Sequence, residues 1–468
     1  MAFIDVFSEF VDNVWFILLF LIVIMGLYST IRLKGIQFTQ LKEMVHVTFS
    51  REALKEKGKM SSFHVFCMSM ANRIGVGNIS GPVLAILIGG PGAIFWMWVF
   101  AVIGMATSFL ESTVGQIYKV RSDKDGFHGG SAYNLLHGLD MKRGAMVVSV
   151  VMFLMYIIGF VSMEVCSMAE AANESFGFQG SQLFFAVLFT LFTLFIIIGG
   201  VRKVSDLSVR IVPAMAIMWI LVCLVVVLCN AGNVPMAISS IFINAFSVPS
   251  AVGGGVGAML VIGMKRGILS NEAGIGSIPN ISSMADVKHP AAQGLSQSLG
   301  VLIDTIVCTL TALVVLSYGD YQSILDIGKE SMPTLQFIME DTLGTIAPYL
   351  VSVFLLVFAL TSLMTDYVIG ENNMEINGTS KRKIMFLNVV ILAVVFLSSF
   401  YSSDALFVVV DLMMILCGLV NVVVIFRLGG RAVEAYADYR RQRAEGIEEP
   451  VFHKSALSDP KGISVWEE

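Results

Sequence analysis

The chain has 468 residues, 56% of them hydrophobic and only 14% charged, with a formal net charge of −5. Soluble domains carry roughly 25% charged residues, and a soluble chain of this length would need a polar shell around each of about three domains. Too few charges are present to coat them, which argues against a soluble enzyme, and the acidic balance argues against a nucleic-acid partner. The first 31 residues hold neither Lys nor Arg, so the basic start of a cleavable signal peptide is missing. Cys67, Cys166, Cys223, Cys229, Cys308 and Cys417 lie in apolar stretches without a Cys-x-x-Cys pair and read as small buried hydrophobes.

A transmembrane helix needs about 20 mostly apolar residues. Runs of that kind fall at 14–33, from Ser62 onward with an interruption at 75–81, then at 95–120, 144–172, 181–201 and 209–229. They continue at 252–283, 296–318, 346–370, 384–401 and 405–428, making eleven. The chain is therefore expected to be an all-α polytopic membrane protein. Lys34, Lys42, Arg51, Lys55, Lys57 and Lys59 crowd the connection after the first span. Basic residues recur in every second connection, at Lys119 to Arg143, Arg202 to Arg210, Lys288, Lys381 to Lys383 and Arg431 to Arg443, while Lys329 alone breaks the alternation. Basic loops stay in the cytoplasm, which puts the N-terminus outside and the C-terminus inside the plasma membrane. Segments 234–246 and 334–341 are amphipathic and are expected along the outer interface. The charged segment 432–468 reads as a cytoplasmic tail, an amphipathic helix fraying into disorder.

Two spans are interrupted. The second carries Asn72-Arg73-Ile74-Gly75-Val76-Gly77-Asn78-Ile79-Ser80-Gly81-Pro82. The seventh carries Gly253-Gly254-Gly255, Lys265-Arg266-Gly267 and Ser270-Asn271-Glu272-Ala273-Gly274-Ile275-Gly276-Ser277-Ile278-Pro279. Each Gly costs a helix about 1 kcal/mol and each Pro about 3. Irregular backbone at membrane depth persists only where protein buries it or water reaches it. There, freed carbonyls coordinate a cation and a half-helix N-terminus holds a carboxylate. With the first span set aside, the interruptions fall in corresponding helices of two five-helix halves, the mark of an inverted-repeat transporter. Close packing through small residues is the alternative, but it leaves Asn, Arg and Glu in the same segments unexplained.

These segments, together with Gly89-Gly90-Pro91-Gly92-Ala93-Ile94-Phe95-Trp96-Met97-Trp98, Gly104-Met105-Ala106-Thr107 and Ile303-Asp304-Thr305, resemble the sodium:alanine/glycine symporters over nearly the whole chain. The resemblance implies the five-plus-five inverted repeat of the leucine-transporter class with one additional N-terminal helix. The expected units are the extra helix and its loop at 1–60, repeats at 61–231 and 232–430, and a tail at 431–468. Sodium is the implied coupling ion, and no cofactor is expected.

Ionisable and polar residues inside spans are functional candidates because they are costly there. Asn78, Asp304 and Thr305 offer the oxygens a small hard cation prefers, and the fold implies an ion site on their helices. An Asn–Asp bond tying helices together is the alternative. Thr361 and Ser362, with the carbonyls of Ala71 and Ile74, resemble the fold's second sodium site, although a Thr-Ser pair also bonds back to its own helix. The chain departs from the family at three places. Arg73 stands where members have a small Thr or Ser, Glu164 where they have Gln, and Thr365-Asp366 where they have Gly-Trp. Arg73 is expected either to bridge Glu164 and Asp366, since buried charges persist when paired, to select a longer polar substrate with them, or to replace a sodium ion. Glu111, Glu170 and Glu272 are expected to be structural.

The expected function is amino acid import by alternating access, coupled to sodium. The substrate carboxylate would meet N–H groups at Gly75 to Asn78, with Gly77 between. Its amino group would meet carbonyls at Asn271 and Gly274, and its side chain would meet Arg73, Glu164 and Asp366. Its partners are the small amino acid and the lipid bilayer, with no nucleic acid and no obligate protein partner. A proton-coupled or ion-independent carrier is the alternative. No His-Glu-x-x-His is present for an intramembrane metalloprotease, and an open channel has no use for paired broken helices.

Overall fold

In the computed structural model the described residues are 2–50, 60–122, 126–246, 255–378, 380–401 and 404–466. Arg51, Lys55, Lys57, Lys59, Lys124, Gly253 and Gly254 lie outside them. Eight helical stretches among the described residues are long and apolar enough to cross a membrane. One of these, Ser181–Cys229, is interrupted at Gly200, whose φ of 64° and ψ of −176° no side chain tolerates easily, so it makes the fifth and sixth passes. Gly255–Asn271 and Lys381–Ser398 form the seventh and tenth. Counted this way, the described residues hold eleven passes, as hydropathy predicts: the first is Ala2–Arg32, the third Gly92–Ile117, the eighth Pro290–Leu316, the ninth Ala347–Met374 and the eleventh Asp404–Ala444.

The second pass is broken where expected, into Ser62–Arg73 and Val76–Gly89. The seventh resumes after its break only as Pro279–Ser282. Between them Glu272, Gly274 and Gly276 take positive φ of 55°, 94° and 80°. Left-handed residues at alternate positions cannot continue a right-handed helix, so the backbone unwinds there. The fourth pass, Lys142–Phe153 and Val161–Phe176, contains a π-helical turn at Leu154–Phe160. Such turns cluster at functional sites, and this one carries Tyr156.

Passes three and eight lie closest. A Cβ at Gly294 would fall 2.2 Å from Thr113 Oγ1 and 2.9 Å from the Phe109 carbonyl, so only glycine permits that approach. Phe16, Phe20, Phe195, Ile198, Ile217 and Val389 face outward, a surface suited to lipid rather than water. The amphipathic helices at Val234–Asn244 and Ser331–Leu343 are present. The tail differs from expectation. It does not fray: after Ala444 the chain turns at Gly446 (φ 85°) and packs back through residue 466, with Phe452 and Leu457 buried. Those apolar side chains, overlooked within a charged segment, give it a surface to fold onto.

Candidate functional site

The two breaks lie side by side. A Cβ on Gly77 would sit 3.6 Å from Ser270 Cα, so the second half-helix of pass two touches the end of the first half of pass seven. Asn78 opens that half-helix: its Oδ1 accepts the Gly75 N–H at 3.1 Å and its Nδ2 donates to Asp304 Oδ1 at 2.5 Å. Ser270 Oγ donates to Asp304 at 2.9 Å, and Cys308 Sγ lies 3.2 Å from the same hydroxyl. Asp304 therefore joins passes two, seven and eight. Thr305 does not join it by a bond, since its hydroxyl donates to the Val301 carbonyl at 2.7 Å. It does line, with Asp304, Ser270, Asn271 and Trp98, a cleft at this junction.

Arg73 ends the first half-helix of pass two, fully buried. Its Nε donates to the Asn271 carbonyl at 3.0 Å, and its terminal nitrogens donate to the Gln297 carbonyl (3.2 Å), Gln297 Oε1 (3.1 Å) and Ser108 Oγ (3.1 Å). The nearby charges acting on it are Asp304, Glu272 and Glu111. This corrects the expected grouping of Arg73 with Glu164 and Asp366: four hydrogen bonds commit the guanidinium to passes three, seven and eight. A buried cation this well partnered cross-links the two breaks. Polar Ser108 and Gln297, overlooked in the sequence, are its partners; their place inside predicted spans was the available signal.

The unwound stretch of pass seven is held from all sides. Glu272 Oε2 accepts from Asn72 Nδ2 (2.7 Å), the Tyr156 hydroxyl (2.8 Å) and Ser277 Oγ (2.7 Å). Glu111 accepts from the N–H groups of Gly274 (3.5 Å) and Gly276 (3.2 Å) and from Asn421 Nδ2 (2.9 Å). The Gly274 carbonyl accepts from Asn421 at 3.0 Å, and the Asn271 carbonyl is taken by Arg73. Each of the two carbonyls expected to meet a substrate amine thus already accepts one hydrogen bond inside the protein, and Gly274 faces Ile22 and Met25 of the first pass. Tyr156 and Asn421 carried no motif that marked them.

Glu164, on pass four, and Asp366, on pass nine, are brought together. Both are buried, and the Glu164 carboxyl lies within hydrogen-bonding reach of the Asp366 carboxyl and the Ser362 hydroxyl. Ser362 Oγ donates to the Ala71 carbonyl at 3.0 Å. A Cβ on Gly75 would lie 2.6 Å from Ser362 Oγ and 3.5 Å from Glu164 Oε1, so this group closes directly over the first break. Glu164 Oε2 and Asp366 Oδ2 have no hydrogen-bond partner. Two adjacent carboxyl groups in a dry site call for a positive group between them, a proton or a ligand. Thr361 stays apart, its hydroxyl donating to the Phe358 carbonyl at 2.8 Å. Ile74 leaves helical geometry at the break, with φ −80° and ψ 81°.

Comparison with known proteins gives this arrangement its setting. The sequence profile of the sodium:alanine symporter family matches residues 1–454. The amino-acid carrier protein AlsT of Bacillus subtilis is 37% identical, over 98% of this chain and 96% of its own. The probable sodium/glutamine symporter GlnT of the same organism is 38% identical, over 97% and 94%. The sodium/alanine symporter AgcS of Methanococcus maripaludis is 33% identical, over 75% and 78%. Among solved structures, a Na+-coupled sialic acid symporter in a substrate-bound outward-open state matches with a TM-score of 0.50 at 13% identity, over 92% of this chain and 86% of that one. The likeness is one of fold, the leucine-transporter class. By the extent and identity of these matches, the chain belongs to the sodium:alanine symporter family.

Proposed function

We propose a division of labour within this sodium-coupled amino acid symporter. The substrate carboxylate docks on the N-terminal turn of the half-helix at Gly77, where unpaired N–H groups and the helix dipole favour an anion. The N–H of Gly75 is already spent on Asn78, so Val76 and Gly77 carry the remainder. Glu164 and Asp366 receive the substrate's hydrogen-bond donors. The observation that carries this reading is their pairing over the first break, each with an unpartnered oxygen. Acceptors alone favour a side chain that donates, such as an amide; the glutamine in the name of one relative is consistent with that.

Sodium is assigned to two oxygen clusters. One is Asn78, Asp304 and Thr305, at the cleft; the other is Ser362 with the carbonyls of Ala71 and Ile74, while Thr361 bonds back to its own helix and stands outside it. Arg73 is structural in this scheme. The basic connections lie in the cytoplasm of a plasma-membrane protein, and rocking of the helical bundle exposes the site to each side in turn.

The test is uptake into proteoliposomes with sodium replaced by choline outside, together with competition by a panel of amino acids. Uptake that ignores the replacement would sink the sodium assignment. Equal competition by alanine and glutamine would sink the assignment of Glu164 and Asp366. A proton-linked reading is favoured by the same carboxyl pair, and a pH gradient substituting for the sodium gradient would establish it.

A further inference from the structure

We propose that a cleft on the outer face, between the ends of passes four and nine, is a second binding site for an α-amino acid in its zwitterionic form. This rests on the transporter reading and on the orientation that puts these ends outside. The cleft has a volume of about 480 Å³, and the helix Ser331–Leu343 forms part of its wall. Charges of both signs line it, Lys329 against Glu174 and Glu340. Lys329 is the basic residue that breaks the charge alternation of the connections. It follows Gly328, whose φ of 67° turns the chain just before the helix. The Thr334 hydroxyl donates to the Lys329 carbonyl at 3.0 Å and fixes its backbone, while the ammonium lies 5.4 Å from the centre of the Phe337 ring. Unlike charges that share a cleft ordinarily pair, yet among the described residues neither Lys329 nor the two glutamates forms an ion pair. A ligand that carries both charges matches them: its carboxylate meets the lysine and its ammonium meets the glutamates.

A buried acceptor at the same cleft asks for a donor. Gln336 is 4% exposed and spends both amide hydrogens, its Nε2 donating to Ser175 Oγ at 3.2 Å and to Ser352 Oγ at 3.0 Å. Those serines belong to passes four and nine and lie 2.7 Å apart. Gln336 Oε1 is left without a hydrogen-bond partner. A buried acceptor is costly to leave unmet, and an ammonium in the cleft would meet it. Phe337 and Tyr349 add apolar wall for the ligand's side chain, the Tyr349 ring resting 5.2 Å from that of Phe176 on pass four. The two passes are also those that carry the carboxyl pair. Glu174 lies ten residues beyond Glu164 on pass four, a rise of about 15 Å. Tyr349 lies seventeen residues before Asp366 on pass nine, a rise of about 25 Å. The cleft therefore stands at the outer ends of the helices that frame the transport site.

The test uses the full chain in proteoliposomes, with Cys229→Ser to remove the exposed thiol and Thr345→Cys to place one at the cleft. Labelling by a membrane-impermeant maleimide is followed with and without L-alanine or L-glutamine. Glu164→Gln and Asp366→Asn are then added together, so that only the cleft reports. In that background the labelling rate is expected to fall at least about fivefold with saturating amino acid, because only the empty cleft reacts. Lys329→Gln is expected to abolish the protection. Absence of protection in the Glu164→Gln, Asp366→Asn background overturns the proposal, as does protection that survives Lys329→Gln. Propionate and alaninamide carry one charge each, and protection by either equal to that by alanine overturns the two-charge assignment. Slow labelling that needs only phosphatidylethanolamine in the vesicles assigns the cleft to a lipid headgroup and likewise overturns it. A second measurement keeps Glu164 and Asp366 in place: Lys329→Gln is expected to raise the amino acid concentration for half-maximal uptake at least about threefold, and an unchanged value overturns the proposal. The transport reading has its own readout, since a carrier with Glu164, Asp366 and Lys329 intact that takes up no amino acid counts against that reading whatever the labelling shows.

Discussion

The guanidinium of Arg73 occupies the space that a side chain at Gly300 would need: a Cβ there would lie 2.1 Å from a terminal nitrogen and 3.3 Å from Cζ. Gly300 sits in the middle of pass eight, where Ala would ordinarily favour helix by about 1 kcal/mol. Here the sign reverses. Arg73 is fixed by four hydrogen bonds, and displacing it leaves buried polar groups unpaired at about 1–3 kcal/mol each. Gly300→Ala is expected to lower the thermal midpoint of the purified protein and to weaken transport. A midpoint equal to or above wild type would contradict the interlock.

Glu111 is expected to act as the clamp of the unwound stretch. Glu111→Gln keeps its shape but replaces one of the two carboxyl oxygens that accept the Gly274 and Gly276 N–H groups with an amide donor. A buried donor left unpaired costs about 1–3 kcal/mol, so the variant should be less stable without substrate. Thermal denaturation in detergent reads this directly.

The two hydroxyls of Leu360-Thr361-Ser362 should separate. Ser362 reaches the Ala71 carbonyl across the break, whereas Thr361 bonds back to its own helix. Ser362→Ala is expected to raise the sodium concentration for half-maximal uptake at least about fivefold, and Thr361→Ala to change it less than about twofold. Equal effects would mean that Thr361 turns toward the ion during transport.

Asp304→Asn removes a negative charge that acts on Arg73 while preserving size. The cation is then undercompensated in a dry site. We expect the sodium dependence of uptake to weaken by about tenfold or more, measured with substrate saturating. Ser270→Ala, which removes a single donor to Asp304, should have a smaller effect in the same direction.

His289 gives a pH dependence outside the membrane spans. Its Nδ1 accepts the Ala291 N–H at 3.1 Å, so Nε2 carries the hydrogen and faces Asp438 at 3.4 Å. Burial pushes its pKa below the ordinary 6.5, with Asp438 opposing. The folded state thus binds fewer protons at this site than the unfolded chain, and the associated stability is present above pH 6.5 and lost as the pH falls below it. The thermal midpoint should drop on going from about pH 7 to about pH 5.5, and His289→Gln should reduce that drop. An unchanged drop in the variant would assign the dependence to other groups.

Read alone, the sequence determined the class of protein, the number of passes and the places where two of them break. These are one-dimensional properties: scarcity of charge, runs of about 20 apolar residues, and Gly-rich interruptions that no helix absorbs. It also singled out Asn78 and Asp304, and Ala71 and Ser362, as partners, because each pair sits on helices that the fold brings together. What it could not decide was which buried charge faces which. Arg73, Glu164 and Asp366 are charged departures of one kind in the sequence, yet Arg73 turns toward Asn271, Gln297 and Ser108 while Glu164 lies over Gly75 and meets Asp366. The difference lies in the direction a side chain takes from a helix end. That direction is fixed by backbone at the break and by space such as that left at Gly300, neither of which is local in the sequence. The tail shows the same limit: its charge content suggested fraying, and only the surface formed by passes three, seven and eight gave Phe452 and Trp466 somewhere to bind.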